Sequence, residues 1–310
     1  MTFDFACPPG WNRASLDSAA ERIAIAARAG WWELVPASNG RWSLLLDATD
    51  WADLPAPEAR RSDGAFSIPL GCHPDGPAIW NLARAPHLLV AGATGSGKSS
   101  LLRNVVASVP LGWCWRAVVI DPKELDFAPA RREIEVSGLA EAPATLSKLA
   151  ADLAARKQVL ASAGCDHWRT MADRIVPVRP VLVVVDEAAD LLAGAGLSKA
   201  DTQVVRDAVG ILARQGRACG FHLVAAFTRP DTDAVPGAIR DQFGARVALG
   251  PLSPDGARMV FGSQRVPSLP DPLPGCGLSL GLDGSQRLRR LRSPWVSIVD
   301  VRLRHGLVNS

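Results

Sequence analysis

Gly92-Ala93-Thr94-Gly95-Ser96-Gly97-Lys98-Ser99 is the stretch of this chain best equipped for chemistry, and that chemistry is phosphate binding. It fits G-x-x-x-x-G-K-[ST], the phosphate-binding loop. Glycines at 92, 95 and 97 permit tight, partly left-handed turns, so successive backbone N–H groups can face one anion. A helix beginning near Lys98 adds the positive end of its dipole. In this pattern Lys98 reaches the β- and γ-phosphates of a nucleotide such as ATP, and the Ser99 hydroxyl ligates Mg2+. A glycine turn that binds nothing does not account for the full pattern with both flanks in place.

A second constellation is Val181-Leu182-Val183-Val184-Val185-Asp186-Glu187. A wholly apolar run ends in two acids, so both stand at the carboxyl edge of a buried strand, where ligands bind in open α/β sheets. Asp186 is placed to hold Mg2+ through water, and Glu187 to orient and polarise an attacking water. The alternative is that one of them caps a helix over Ala188–Leu192. A third strand end carries Asp121-Pro122-Lys123. These residues reach phosphate or DNA, or they fix the turn that Pro122 imposes; composition alone favours the turn.

Such groups need a scaffold that brings several strand ends to one edge. From Ile68 the chain alternates strand-like and helix-like stretches, the pattern of a mainly parallel α/β sheet. Strands are expected at Leu88–Ala91, Ala117–Ile120, Val181–Val185, Phe221–Ala226, Ala245–Leu249 and Trp295–Val299. Helices are expected over Thr145–Ala163, capped by Thr145 with Leu149, Leu153, Val159 and Leu160 facing the core, and over Thr202–Gly216. Residues 1–66 form a small accessory segment ahead of the main unit, 67–310. Within it, Leu16–Ala29 reads as a helix with Ser15 or Ser18 as cap and Gly30 as stop, and Arg41–Leu46 as a strand. Leu54–Gly64 has linker composition, and Val266–Gly275 reads as a proline-rich loop. Trp11, Trp31, Trp32, Trp42 and Trp51 are expected to build the core of the accessory module, the alternative being platforms for nucleic-acid bases.

Composition narrows the function classes. With 48% apolar residues the chain can pack a core, so a disordered protein is excluded. The net charge is only +3, although 29 of the 34 basic residues are arginine, a bias that suits phosphate contacts or merely reflects genomic base composition. Cys7, Cys72, Cys114, Cys165, Cys219 and Cys276 are scattered without a C-x-x-C pair, and no H-x-x-x-H occurs. A disulfide framework or zinc site is therefore not expected. The stretch MTFDFACPPG lacks the basic start and apolar core of a signal peptide and no apolar run reaches membrane-spanning length, so the expected location is cytoplasmic, with peripheral membrane association open.

The segments APHLLVAGATGSGKSSLLRN, VVIDPKELDF, VLVVVDEAADLL, LARQGRACGFHLVAAFTRP and ARVALG, taken in order, resemble the motor domain of the FtsK/SpoIIIE family of DNA translocases. The upstream IPLGCHPDGPAIWNLA and the late GCGLSL and RLRRLRSPWVS extend the resemblance over roughly residues 68 to 299. The resemblance implies a RecA-like P-loop NTPase that hydrolyses ATP with Mg2+, forms a homo-oligomeric ring, usually a hexamer, and moves double-stranded DNA. By it, Gly92 to Ser99 bind nucleotide, Asp186 binds the metal and Glu187 is the catalytic carboxylate. Thr228, before Arg229-Pro230, stands where the family typically has a glutamine that senses the γ-phosphate. Arg214 and Arg217 are candidates for an arginine finger acting in trans, or for ordinary salt bridges.

Full-length members carry a membrane-spanning N-terminal region and a C-terminal winged-helix module. The expectation here is a compact form, resembling the transfer proteins of actinobacterial conjugative plasmids and integrative elements. A membrane-bound partner would then bring it to a pore. The rival readings are a protein-translocating ATPase of the type VII secretion kind and a non-motor nucleotide switch; DNA-stimulated hydrolysis separates the first reading from both. Arg287, Arg289, Arg290, Arg292, Arg302 and Arg304 form the densest basic cluster, a candidate DNA contact or a solvated face.

Overall fold

The computed structural model describes residues 1–27, 31–37, 40–47, 66–109, 115–172, 178–228, 237–262, 266 and 273–306. The first segment folds around its own apolar residues. Strand β1 (Thr2–Ala6), helix α1 (Arg13–Ala26), β2 (Trp31–Pro36) and β3 (Arg41–Asp47) form an antiparallel sheet, order β1-β3-β2, beside one helix. Leu16, Ala20, Ala24, Leu34, Leu44 and Leu46 are its core, with Trp32 and Trp42 half-buried against them. The guanidinium of Arg13 lies over the Trp42 ring at 4.9 Å. Trp11 is exposed, while Trp51 and the expected linker Leu54–Gly64 lie outside the described residues. Helix α1 starts earlier than expected because Asn12, not Ser15 or Ser18, is its cap: Asn12 Oδ1 accepts the Ser15 N–H at 2.9 Å. The expected stop, Gly30, lies outside the described residues.

The second sheet has ten strands among the described residues. In chain order its elements are β4 (Ser67–His73), β5 (Gly76–Asn81), β6 (Leu88–Gly92), α2 (Lys98–Ser108), β7 (Arg116–Ile120), β8 (Glu135–Ser137), α3 (Ala142–Ser162), α4 (Trp168–Ala172), β9 (Val181–Val185), α5 (Ala188–Ala193), α6 (Lys199–Cys219), β10 (Phe221–Phe227), α7 (Gly237–Arg240), β11 (Ala245–Leu249), α8 (Pro254–Phe261), β12 (Cys276–Leu280), β13 (Arg289–Arg292) and α9 (Ile298–Gly306). Its order is β5-β4-β13-β12-β11-β6-β10-β9-β7-β8. The run from β11 to β8 is parallel, and β12, β13, β4 and β5 extend it antiparallel. Every residue of β6, β9 and β10 is buried, as continuous apolar runs covered on both faces require. One core, with α3, α5 and α6, covers one face; the other, with α2, covers the opposite face.

Five of the six expected strands of this sheet are present. The sixth is not: Trp295 to Ser297 is irregular, and Ile298 and Val299 are the first residues of α9. Ser297 and Asp300 make a capping box there, with the Ser297 N–H on Asp300 Oδ2 at 2.8 Å and the Asp300 N–H on Ser297 Oγ at 3.2 Å. This S-x-x-D start outweighs the apolar look of the run, and Trp295 is 79% exposed. Helix α3 begins at Ala142, so Thr145 sits inside it, its hydroxyl 2.8 Å from that of Ser137. Val159, expected in the core, is 49% exposed. Helix α6 starts at Lys199 because Ser198 accepts the Asp201 N–H at 3.0 Å, and it ends where Gly220 adopts a left-handed conformation. Most of the proline-rich loop, residues 267–272, lies outside the described residues.

Candidate active site

Parallel pairing aligns the carboxyl ends of β6, β7, β9 and β10, and each end carries polar residues. β6 leads into the phosphate loop, whose last glycine, Gly97, has φ 101 and precedes α2. A Cβ on Gly97 would stand 2.6 Å from the Gly275 nitrogen, and one on Gly92 2.6 Å from the Leu249 carbonyl oxygen. Glycine is therefore needed at both for packing as well as for backbone angle. Gly275 N–H donates to the Ser96 carbonyl at 2.8 Å, and Ser293 N–H to the Gly275 carbonyl at 2.8 Å. Beside them Ser100 Oγ donates to the Pro294 carbonyl at 3.2 Å and accepts the Val296 N–H at 2.7 Å. The loop is thus backed by two C-terminal segments.

Lys98 turns its ammonium onto the loop's own carbonyls, Gly92 at 2.6 Å and Ala93 at 3.2 Å. Ser99 Oγ donates to Asp126 Oδ2 at 2.8 Å, and Arg103 makes an ion pair with the same carboxylate. Asp126 was not among the expected site residues. Its signal was only an acid in the loop after a strand, five positions beyond Asp121. Asp121 itself fixes the turn, accepting the Phe127 N–H at 2.9 Å, while its Oδ1 is buried without a partner.

The acid pair follows β9. Glu187 has φ 58 and makes no side-chain cap to α5, so the helix-cap alternative does not describe it. Its Oε1 accepts the Thr228 N–H at 3.1 Å, its Oε2 accepts the Thr228 hydroxyl, and Lys123 Nζ stands 3.3 Å from Oε2. Burial raises the Glu187 carboxyl, but the Thr228 bonds and Lys123 outweigh it and hold the pKa below the ordinary value. Asp186 goes the other way. Burial first, then the charges of Asp126, Asp121 and Glu187, push it up to about 7, with Lys123 opposing.

Carboxylates thus crowd around Asp186, and one of them, Asp126, meets the Ser99 hydroxyl; these are hard oxygen donors whose repulsion a divalent cation would relieve. Among the described residues no group of three or more His, Cys, Asp or Glu is placed to hold a metal ion by itself. Mg2+ needs none, since it takes one or two protein oxygens and completes its shell with phosphate and water.

Raised on folding, the Asp186 pKa has a stability cost with a definite sign. Its contribution is favourable below the unfolded value of 3.8 and is lost as pH rises toward about 7. Asp186→Asn should therefore raise the unfolding midpoint of nucleotide-free protein at pH 8 by about 5 °C or more. At pH 5 the gain should be smaller, and equal gains at both pH values would refute this origin.

The remaining candidates fall elsewhere. Arg214 and Arg217 lie toward the C-terminal end of α6, next to the amino end of β10, where the Val181 N–H meets the Gly220 carbonyl at 2.8 Å. That is the sheet edge opposite the phosphate loop, so neither serves its own subunit's site. They line a cavity of about 620 Å³ with Cys165, His167 and Cys219. Arg229 and Pro230 lie outside the described residues. The basic cluster is not one face: Arg290 is 2% exposed, Arg289 pairs with Asp75, and Arg302 pairs with Glu133. None of the five described cysteines is in a disulfide, and Cys114 lies outside the described residues. Among the described residues no helix is long and apolar enough to cross a membrane.

Residues 52–232 match the family model for the FtsK/SpoIIIE family. DNA translocase FtsK of Mycobacterium tuberculosis is 31% identical over 284 residues, covering 83% of this chain and 32% of that protein. DNA translocase FtsK of Caulobacter vibrioides is 29% identical, covering 71% of this chain and 31% of that protein. The chain thus spans about a third of the length of these curated relatives. In fold it is similar to the pCW3 conjugation coupling protein TcpA, solved in monomer form with ATPγS, with TM-score 0.74, 18% identity, and coverage of 99% of this chain and 88% of that one. The cytoplasmic domain of the type VII secretion ATPase EccC of Thermomonospora curvata gives TM-score 0.64 at 24% identity, covering 83% of this chain and 32% of that one. On the family match and the identity to its relatives, the chain belongs to the FtsK/SpoIIIE family.

Proposed function

We propose that this protein is an ATPase that moves double-stranded DNA, serving the transfer of DNA between cells. One observation carries the reading: a phosphate loop and an acid pair converge at one sheet edge in a chain of the FtsK/SpoIIIE family. Gly92 to Ser99 wrap the phosphates of ATP, and Lys98 leaves its loop carbonyls for the β- and γ-phosphates. Glu187, kept ionised by Thr228 and Lys123, orients water for attack, giving ADP and phosphate. Ser99 and Asp186 would hold Mg2+, which neutralises charge on the phosphates when bound.

Around one duplex the working form is a homo-oligomeric ring, expected to be a hexamer, recruited from the cytoplasm by a membrane-bound partner. Residues 1–66 form an accessory segment and 67–310 the motor.

The test is ATP hydrolysis with and without duplex DNA. Strong stimulation is expected; hydrolysis indifferent to DNA favours a protein substrate, as in the secretion ATPases, and absence of turnover favours a switch. DNA binding measured with an ATP analogue should be nearly independent of sequence. Between 50 and 200 mM salt it should weaken by about three to five decades if a ring makes about six to ten phosphate contacts. Because Arg289 is already paired with Asp75 and Arg292 is half-buried at the end of β13, replacing Arg289 and Arg292 with alanine should leave the salt slope unchanged. A flatter slope would place them on phosphate.

A further inference from the structure

Lys123 is a cation of this site that the phosphate loop does not supply. It follows β7, and β7 pairs with β9, whose end carries Asp186 and Glu187. Its side chain is 56% exposed, while that of its partner Glu187 is 7% exposed, and one contact of 3.3 Å joins them. Glu187 does not depend on that contact for its position, because Thr228 holds both of its oxygens. Lys123 also stands within electrostatic range of the loop lysine. Burial lowers the Lys98 pKa, Glu187 and Asp186 counter it, and Lys123 adds to the lowering. Two ammonium groups thus flank one acid pair, each bound to protein oxygens that are poorer partners than a polyphosphate. The exposed four-carbon stem lets one of them move at little cost in packing.

We propose that Lys123 is a second phosphate-binding lysine, held on Glu187 in the nucleotide-free protein and transferred to the terminal phosphate of a bound nucleoside triphosphate. The transfer uncovers Glu187 Oε2 on its solvent side, where the attacking water must sit, so arrival of the substrate itself arms the carboxylate. Thr228 keeps that carboxylate in place throughout. This deepens the reading of the site as a nucleoside-triphosphate site and rests on it.

Inorganic tripolyphosphate, titrated calorimetrically, is the probe, because it presents the phosphates without the base. Wild type, Lys123→Ala, Glu187→Gln and the double variant form a cycle, with Lys123→Gln as a folding control that keeps most of the stem. Lys123→Ala and Lys123→Gln should each weaken binding about ten- to a hundredfold. Glu187→Gln should tighten binding about fivefold or more where Lys123 is present, having released it, and not where Lys123 is alanine. Unchanged affinity in the folded Lys123 variants would overturn the proposal. Equal tightening in both backgrounds would overturn it too, since Glu187 would then act only by repelling the anion. Tripolyphosphate binding that is indifferent to Lys98→Ala would instead overturn the nucleotide-site reading, and the role of Lys123 with it.

Discussion

Replacing Lys98 with alanine should cost at least about a hundredfold in affinity for an ATP analogue and abolish turnover, with the fold intact. The lysine is half-buried beside the carbonyls of Gly92 and Ala93, to which it donates at 2.6 and 3.2 Å. Charge-assisted hydrogen bonds of this kind are worth about 1.5–3 kcal/mol each, so losing two of them to phosphate oxygens accounts for the loss. The fold should survive because the loop is held by other contacts, those of Gly275 with Ser96 and of Ser100 with residues 294 and 296. Calorimetric binding of ATPγS, read beside the circular dichroism melt, checks both halves. Wild-type binding and hydrolysis by the folded variant would refute the assignment of the loop.

Glu187→Gln should separate binding from chemistry. Glutamine keeps a carbonyl oxygen for the Thr228 N–H, so the left-handed turn at residue 187 can persist. It loses the negative charge that polarises water, and general-base catalysis contributes about 10²–10⁴ in rate. Turnover should therefore fall by about two to three orders of magnitude while ATP stays bound and unhydrolysed. Single-turnover hydrolysis with radiolabelled ATP measures this directly. An unchanged rate would remove Glu187 from the mechanism and leave Thr228 as partner to a merely structural acid.

Much of the site was legible because its parts are short, local and chemically marked. An apolar run ending in Gly92 or in Asp186 announces a buried strand with a functional end, and both strands are where the runs placed them. Asp126 and Lys123 were not legible in the same way. Their roles depend on which strands lie side by side, and nothing near residue 126 says that its carboxylate meets Ser99. The antiparallel extension was harder still. β12 is a short Cys-Gly-Leu-Ser-Leu run and β13 reads Arg-Arg-Leu-Arg, a pattern closer to a charged surface than to a strand, yet Arg290 is buried within it. At Trp295–Val299 the apolar pattern pointed to a strand, and two polar residues, Ser297 and Asp300, decided for a helix.

The backing of the phosphate loop by Gly275 and by residues 293–296 sets an order on how the protein matures as it is synthesised. The loop itself leaves the ribosome early, near residue 98, but the backbone that presses on Gly97 emerges some 180 residues later. Neighbouring strand β11 also comes late, so until then β6 has an open edge on one side. A nascent chain halted after residue 232, where the family match ends, would hold every residue of the signature and still lack its support. Long-range closure of this kind is slow to form. The site should therefore gain affinity for nucleotide in one late step, when the last fifth of the chain docks.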